Sequence, residues 1–229
     1  NAATAEYYHR NLLGKMDALV YQTVTRGHNV KTLMVTKVGY ADGGLVAALR
    51  ERFSEEEILE TGMARLQNGR LVDFAPAGVY VYPHFVDGRG VRFTFKDPTG
   101  IFKFQQPKRY WLSGAFWYGQ DSLERSGAIA LVEGENDRLA LMEVYDGPVL
   151  ASIGSISSEQ VGFIKSLGRE VITFFDNDDA GDRYRQKFDA RHIIVPERGG
   201  DIDSYLRGGG DFMALLAVFT PKFEVIKPL

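Results

Sequence analysis

Three stretches of this chain gather carboxylates into short runs. In Ile129-Ala130-Leu131-Val132-Glu133-Gly134-Glu135-Asn136-Asp137 an apolar run ends abruptly in acids. Val171-Ile172-Thr173-Phe174-Phe175 passes in the same way into Asp176-Asn177-Asp178-Asp179-Ala180-Gly181, and Asp201 and Asp203 follow a further apolar run. Acids brought to one place repel one another unless a cation neutralises them. Carboxylate oxygens are hard ligands, suited to Mg²⁺ or Mn²⁺ rather than zinc. Alternation along an extended chain lets Asp176 and Asp178 face the same way while Asn177 points elsewhere. Asp137, four residues past Glu133 across a strand-to-helix turn, can approach the same pocket from the helix start. A pair of ions held by such a set would support in-line phosphoryl or nucleotidyl transfer. Each run alone reads equally well as a solvated turn or a strand end. It is their coincidence that points to chemistry.

The elements that must position these acids follow a rhythm. From Ala128 onward apolar runs over 128–132, 149–153, 171–175 and 192–195 alternate with helical patterns over 137–145, 158–168, 180–190 and near 202–216. Such alternation predicts βαβ units and a mostly parallel sheet, with any site beyond the carboxyl ends of the strands. Upstream the texture differs. Leu12, Leu13, Met16, Leu19 and Val20 predict one amphipathic helix over 4–25, with Thr4 as its cap. Short helices are expected over 30–37, 45–53 and 55–60, the last opened by a capping box at Ser54. A hairpin then spans 79–95 around Asp87-Gly88-Arg89-Gly90, its second arm alternating basic and apolar positions. Beyond it Lys103, Lys108, Arg109, Tyr110, Trp111, Phe116, Trp117 and Tyr118 interleave cations with rings. That texture suits single-stranded nucleic acid, or equally a core edge with snorkelling lysines.

Composition sets bounds on the function. With 229 residues the chain can bury a substantial core, and its net charge is only −3. The distribution is uneven: residues 1–126 hold 16 Lys/Arg against 13 Asp/Glu, residues 127–229 hold 11 against 17. A mildly basic front beside an acidic back suits a polyanion held against bound cations. The chain lacks cysteine, which excludes disulfides and a thiolate zinc site and fits the cytoplasm. Its four histidines form no HxxxH pair. No apolar run reaches the roughly 18 residues of a membrane span, and no membrane partner is expected. The chain opens on Asn rather than Met, as a piece of something longer would.

Leu131–Asp137, Ala151-Ser152-Ile153-Gly154-Ser155 and Phe175–Gly181 together resemble a TOPRIM domain, the fold shared by DnaG-type primases, topoisomerases and OLD-type nucleases. The resemblance extends upstream. Val38-Gly39-Tyr40-Ala41 is similar to the "IGYA" of the primase N-terminal subdomain, and Tyr82–Gly90 to its "FPI-D-GR" hairpin. Pro107–Gly119 is similar to the "PKYLNSP…LYG" segment. The implied fold is α/β: a TOPRIM domain with a central, mostly parallel sheet flanked by helices, preceded by a small α+β subdomain. The implied division is 1–126 for the basic N-terminal subdomain, 127–216 for the catalytic subdomain and 217–229 for a tail or linker.

The resemblance implies a DNA primase core that joins ribonucleotides on a single-stranded DNA template. Glu133, Asp176 and Asp178 are then the catalytic acids. The same three with Asp137, Asp201 and Asp203 hold two or more Mg²⁺ or Mn²⁺ ions, and no zinc is expected. Arg92, Lys96, Lys108 and Arg109 would handle template and incoming NTP, and a replicative helicase is the implied partner. The setting is the cytoplasm of a bacterial cell, with a phage or mobile element as a possible source. Departures exist: the family's "EGYMD" is Glu-Gly-Glu-Asn-Asp, its "DPD" is Asp201-Ile202-Asp203, and the Arg following "DxDxAG" is Asp182. The alternatives are a TOPRIM nuclease that uses the same acids to activate water, and the primase half of a primase–helicase. The chain carries no GxxxxGK[ST], so any motor lies elsewhere.

Overall fold

A computed structural model describes residues 1–99, 103–108 and 115–218. The chain divides into two compact units, Asn1–Glu124 and Arg125–Leu229.

The first unit opens with α1 (Ala2–Gly14), α2 (Met16–Val20) and a single π-helical turn at Tyr21–Thr25. One continuous helix was expected here, but Lys15 is extended at φ −110° and ψ 100° and breaks it directly after the poor helix former Gly14. The buried stripe of α1 is Thr4, Ala5, Tyr8, His9 and Leu12, whereas Leu13, Met16 and Val20 are exposed. Thr4 therefore packs inward instead of capping. After α3 (Val30–Thr36) come β1 (Gly39–Tyr40), α4 (Leu45–Leu49) and α5 (Glu55–Glu60). The capping box at Ser54 forms as expected, Ser54 Oγ accepting from Glu57 N–H and Glu57 accepting from Ser54 N–H.

A small hairpin of β2 (Ala64–Gln67) and β3 (Arg70–Asp73), not anticipated from sequence, precedes the expected one of β4 (Tyr80–Val86) and β5 (Arg89–Lys96). With β6 (Lys103–Gln105) these give an antiparallel sheet in the order β1-β4-β5-β6. Val81, Phe93 and Phe95 on one face of it join Tyr8, Leu45 and Met63 in the core of this unit. A 3₁₀ turn at Gln120–Glu124 closes the unit.

The second unit is built from β7 (Ile129–Val132), α6 (Glu135–Leu141), β8 (Val149–Ala151), α7 (Ser158–Ser166), β9 (Val171–Thr173), α8 (Asp179–Arg185) and β10 (Arg191–His192). The strands pair in parallel in the order β10-β9-β7-β8. β7, β8 and β9 are buried along their whole length, as a sheet covered on both faces requires. The chain then ends its described part in α9 (Ile202–Arg207) and α10 (Phe212–Val218). A single helix was expected over that span; Gly208-Gly209-Gly210 divides it. Among the described residues no helix is long and apolar enough to cross a membrane.

Candidate metal-binding active site

From β7 the chain steps to β8 on one side, then returns to place β9 on the other side and β10 beyond it. The strand order thus reverses between β7 and β9, and ligands of open parallel sheets bind in the crevice at such a reversal. Glu133 follows β7 and Asp176 lies just past β9, so both stand at that crevice. Their contact is direct: the Asp176 backbone N–H donates to Glu133 Oε1 at 3.1 Å. Asp178 caps α8, its Oδ1 accepting from the N–H groups of Ala180 and Gly181, each at 2.8 Å.

The electrostatics are those of anions short of a counter-charge. Burial raises the Glu133 carboxyl to about 7, reinforced by the charges of Asp178 and Asp137 and opposed by the Asp176 N–H. Burial likewise raises Asp176 to about 7, with Glu133, Asp201 and Asp178 adding to the effect and Arg185 working against it. Asp176 Oδ1 is buried and accepts no hydrogen bond. A buried carboxylate oxygen without a donor is costly, and a divalent cation supplies what it lacks. Among the described residues no three carboxylates or imidazoles are gathered into a ready-made cage. Mg²⁺ needs none: one or two carboxylates, water and substrate phosphates are its usual shell. Hard oxygens, an orphaned acceptor and mutual repulsion make the fit a good one.

The other acids have different work. Asp137 is buried, Oδ2 accepting from Gly134 N–H at 2.9 Å and Oδ1 from Asp203 N–H at 3.3 Å. Oδ2 thus closes the start of α6 on itself, and Oδ1 ties α6 to the start of α9. A Cβ at Gly134 would sit 2.6 Å from Asp137 Oδ2, so a larger residue there would displace that carboxylate. Asp203 is buried and paired with Arg207 at 3.0 Å one helical turn on. Asp201 caps α9 through Ser204 N–H at 2.6 Å, and its charge still reaches Asp176. Glu133, Asp176, Asp178 and Asp201 therefore share one field, which Asp137 also reaches through Glu133, while hydrogen bonds of Asp137 and Asp203 additionally join α6 to α9.

Two residues that build this site were not singled out from the sequence, Ile153 being quoted there only as part of a motif. Arg185, on the same face of α8 as Gly181, is buried and donates to the carbonyls of Phe175 at 3.0 Å and Asp176 at 3.1 Å. Its spacing of four from Gly181 was the available signal; a Cβ on Gly181 would collide with the same Asp176 carbonyl. Ile153 is the other. It holds φ +54°, a left-handed conformation that β-branched residues avoid at a cost of about 1–3 kcal/mol, and its N–H donates to the Glu133 carbonyl at 3.0 Å. No sequence pattern announces that strain.

In the first unit, Arg92 and Lys96 lie on the face of β5 opposite the core residues Val91, Phe93 and Phe95. Lys96 Nζ stands 5.5 Å from the centre of the Tyr82 ring. Burial lowers Arg92 to about 10, which leaves it charged at neutral pH. Lys103 is cross-strand from Lys96, and Lys108 is exposed. Arg109 lies outside the described residues.

Residues 130–206 match the Toprim-like family model. The chain is 32% identical over 97 residues to the DNA primase of Borreliella burgdorferi, a match covering 42% of this chain and 18% of that protein. In three dimensions it matches 60% of a chain of Aquifex aeolicus primase whose structure comprises the zinc-binding and RNA polymerase domains, with a TM-score of 0.82 and 22% identity over 96% of this chain. It also matches the RNA polymerase domain of Mycobacterium tuberculosis primase DnaG, crystallised with a double-stranded DNA oligomer bearing a 6-nucleotide overhang. There the TM-score is 0.81 and the identity 21%, over 96% of this chain and 79% of that one. The second unit thus carries a Toprim-like domain. Over 97 residues the chain is similar in sequence to a DNA primase, and over nearly its whole length its fold is similar to that of the DnaG RNA polymerase domain. It spans about a fifth of the curated primase's length and under two thirds of the Aquifex chain.

Proposed function

We propose that the chain is the catalytic core of a DNA primase, using Mg²⁺ or Mn²⁺ to join ribonucleotides on a single-stranded DNA template. One observation carries the site assignment: Glu133 and Asp176, joined by a hydrogen bond at the strand-order reversal, are both held near pKa 7, and one Asp176 oxygen is buried without a donor. Glu133, Asp176 and Asp178 are the residues that would hold the ions, with Asp201 adding charge from the start of α9. Bound there, a divalent cation supplies charge neutralisation for the attacking 3′-hydroxyl and the departing pyrophosphate. Glu133 titrates near neutrality only while no cation is bound to it; it would act as the proton acceptor for the hydroxyl if the ions are held by Asp176 and Asp178 and leave its carboxylate free. Arg185 fixes the carbonyl end of Asp176, and the strained Ile153 peptide fixes that of Glu133.

The basic first unit favours a polymerase over a nuclease reading, because the fold match runs through it and not only through the Toprim-like part. Arg92, Lys96 and Lys108, with Arg109, would track the template and the NTP phosphates. NTPs are the substrates, and a replicative helicase in the bacterial cytoplasm is the partner this reading implies.

The test is oligoribonucleotide synthesis from NTPs, Mg²⁺ or Mn²⁺ and single-stranded DNA. Glu133→Gln and Asp176→Asn are each expected to lower synthesis by about 100-fold or more. Variants that synthesise as well as wild type would falsify the site assignment. Metal-dependent cleavage of labelled DNA in place of synthesis would transfer the chain to the nuclease class.

A further inference from the structure

Asn177, the residue between the two metal-site aspartates, has all four of its polar groups engaged by a single loop. Its backbone N–H donates to the Gly200 carbonyl at 2.9 Å, and its carbonyl accepts from Gly199 N–H at 2.7 Å. Its Nδ2 donates to the Val195 carbonyl at 2.9 Å, and its Oδ1 accepts from Arg198 Nη1 at 3.3 Å. Arg198 goes on to pair with Asp179 and, at 3.2 Å, with Asp182. Asp182 also accepts from Arg185 at 2.6 Å, the arginine that holds the Asp176 carbonyl.

This side chain is held by the 195–200 loop, and its chemistry explains why it is an amide. Only a short group with a donor and an acceptor can serve the Val195 carbonyl and the Arg198 guanidinium together. A carboxylate lacks the donor, and an aliphatic side chain lacks both. Because Asp201 follows Gly200 directly, the loop that grips Asn177 also sets how far the Asp176–Asp178 run lies from Asp201. Exposed ion pairs alone would be weak; here they cooperate with two backbone bonds and a side-chain amide at one residue.

We infer that Asn177 is a positioning residue. Clamped by the 195–200 loop, it fixes the backbone between Asp176 and Asp178 and so sets the spacing at which Asp176, Asp178 and Asp201 meet a divalent cation. The inference deepens the proposed function and rests on its metal site. Partners that orient metal ligands typically change affinity by about 10- to 100-fold when removed.

Two measurements on the full chain test it. In chelator, amide exchange across 176–181 is expected to quicken in Asn177→Ala while 129–132 in β7 keeps its wild-type rate. In a Mn²⁺ titration followed by electron paramagnetic resonance, Asn177→Ala is expected to bind about tenfold more weakly or worse. Arg198→Ala removes only an exposed side chain and is expected to lose about two- to fivefold. Unchanged exchange across 176–181, or Mn²⁺ affinity within about twofold of wild type, overturns the inference. If Asn177→Ala does not fold, Arg198→Ala decides by the same two readouts, and wild-type values in both overturn it. Failure of the wild-type chain to bind Mn²⁺ defeats the metal site itself, and the exchange data then still decide whether Asn177 fixes the loop.

Discussion

Glu133 and Asp176 carry a linkage between metal, protons and stability. Each titrates at about 7 when folded, against 4.5 and 3.8 in the absence of any perturbation. Between those limits the folded chain holds more protons than the unfolded one, so stability falls as pH rises through that window and stays lowered above it. In chelator the Tm is therefore expected to drop between about pH 5 and pH 8, and Mg²⁺ to recover most of the loss. Asp176→Asn removes one source of repulsion and is expected to stabilise the metal-free chain at pH 8. The gain is roughly 1–2 kcal/mol, kept small because solvent reaches the group. A pH-dependence that survives unchanged in Asp176→Asn would show that the drop comes from elsewhere. Asp137 behaves differently. Asp137→Ala strips the Gly134 and Asp203 N–H groups of their acceptor and is expected to cost about 1–3 kcal/mol in thermal unfolding with or without Mg²⁺. A loss seen only with metal present would assign Asp137 to the ligand set instead.

At the scale of elements, legibility followed the strength of the local pattern. The β7, β8 and β9 runs were plain because a strand buried on both faces is continuously apolar, and the acids at their ends marked the site edge. The Ser54 box and the 80–96 hairpin were plain for the same local reasons. The break at Lys15 was not, because its cause is a single extended backbone pair inside an otherwise helical pattern. The apolar positions Leu13, Met16 and Val20 misled because they are exposed, while the inward stripe runs through Tyr8 and His9. The hydrogen bonds of Asp137 to backbone N–H groups and of Asp203 to Arg207 were not legible, because an acid with such partners looks, in sequence, like an acid that waits for metal. Gly181 makes the contrast testable. Gly181→Ala must push α8 off the Asp176 carbonyl and is expected to destabilise by about 1–3 kcal/mol and to weaken Mn²⁺ binding with it. Wild-type stability in that variant would mean that α8 can shift without cost.

At the scale of the whole molecule the uneven charge becomes measurable. If the first unit tracks a nucleic-acid backbone, single-stranded DNA affinity must fall steeply with salt. Each phosphate that a substitution leaves without its cation should then reduce the log–log slope by about 0.7. Lys96→Ala and Lys108→Ala are each expected to weaken binding similarly for unrelated DNA sequences and to flatten that slope. A salt slope identical to wild type in both would remove these lysines from the interface.

The parallel sheet ends at β10, a strand of two residues whose pairing with β9 covers only Arg191 and His192. Arg191 turns its guanidinium to the Leu216 carbonyl at 2.7 Å. An edge this brief, carrying a cation and occupied by the end of α10, presents almost no free ladder to a stray strand. At its β10 edge the parallel sheet of the second unit is thus guarded against edge-to-edge pairing with another chain.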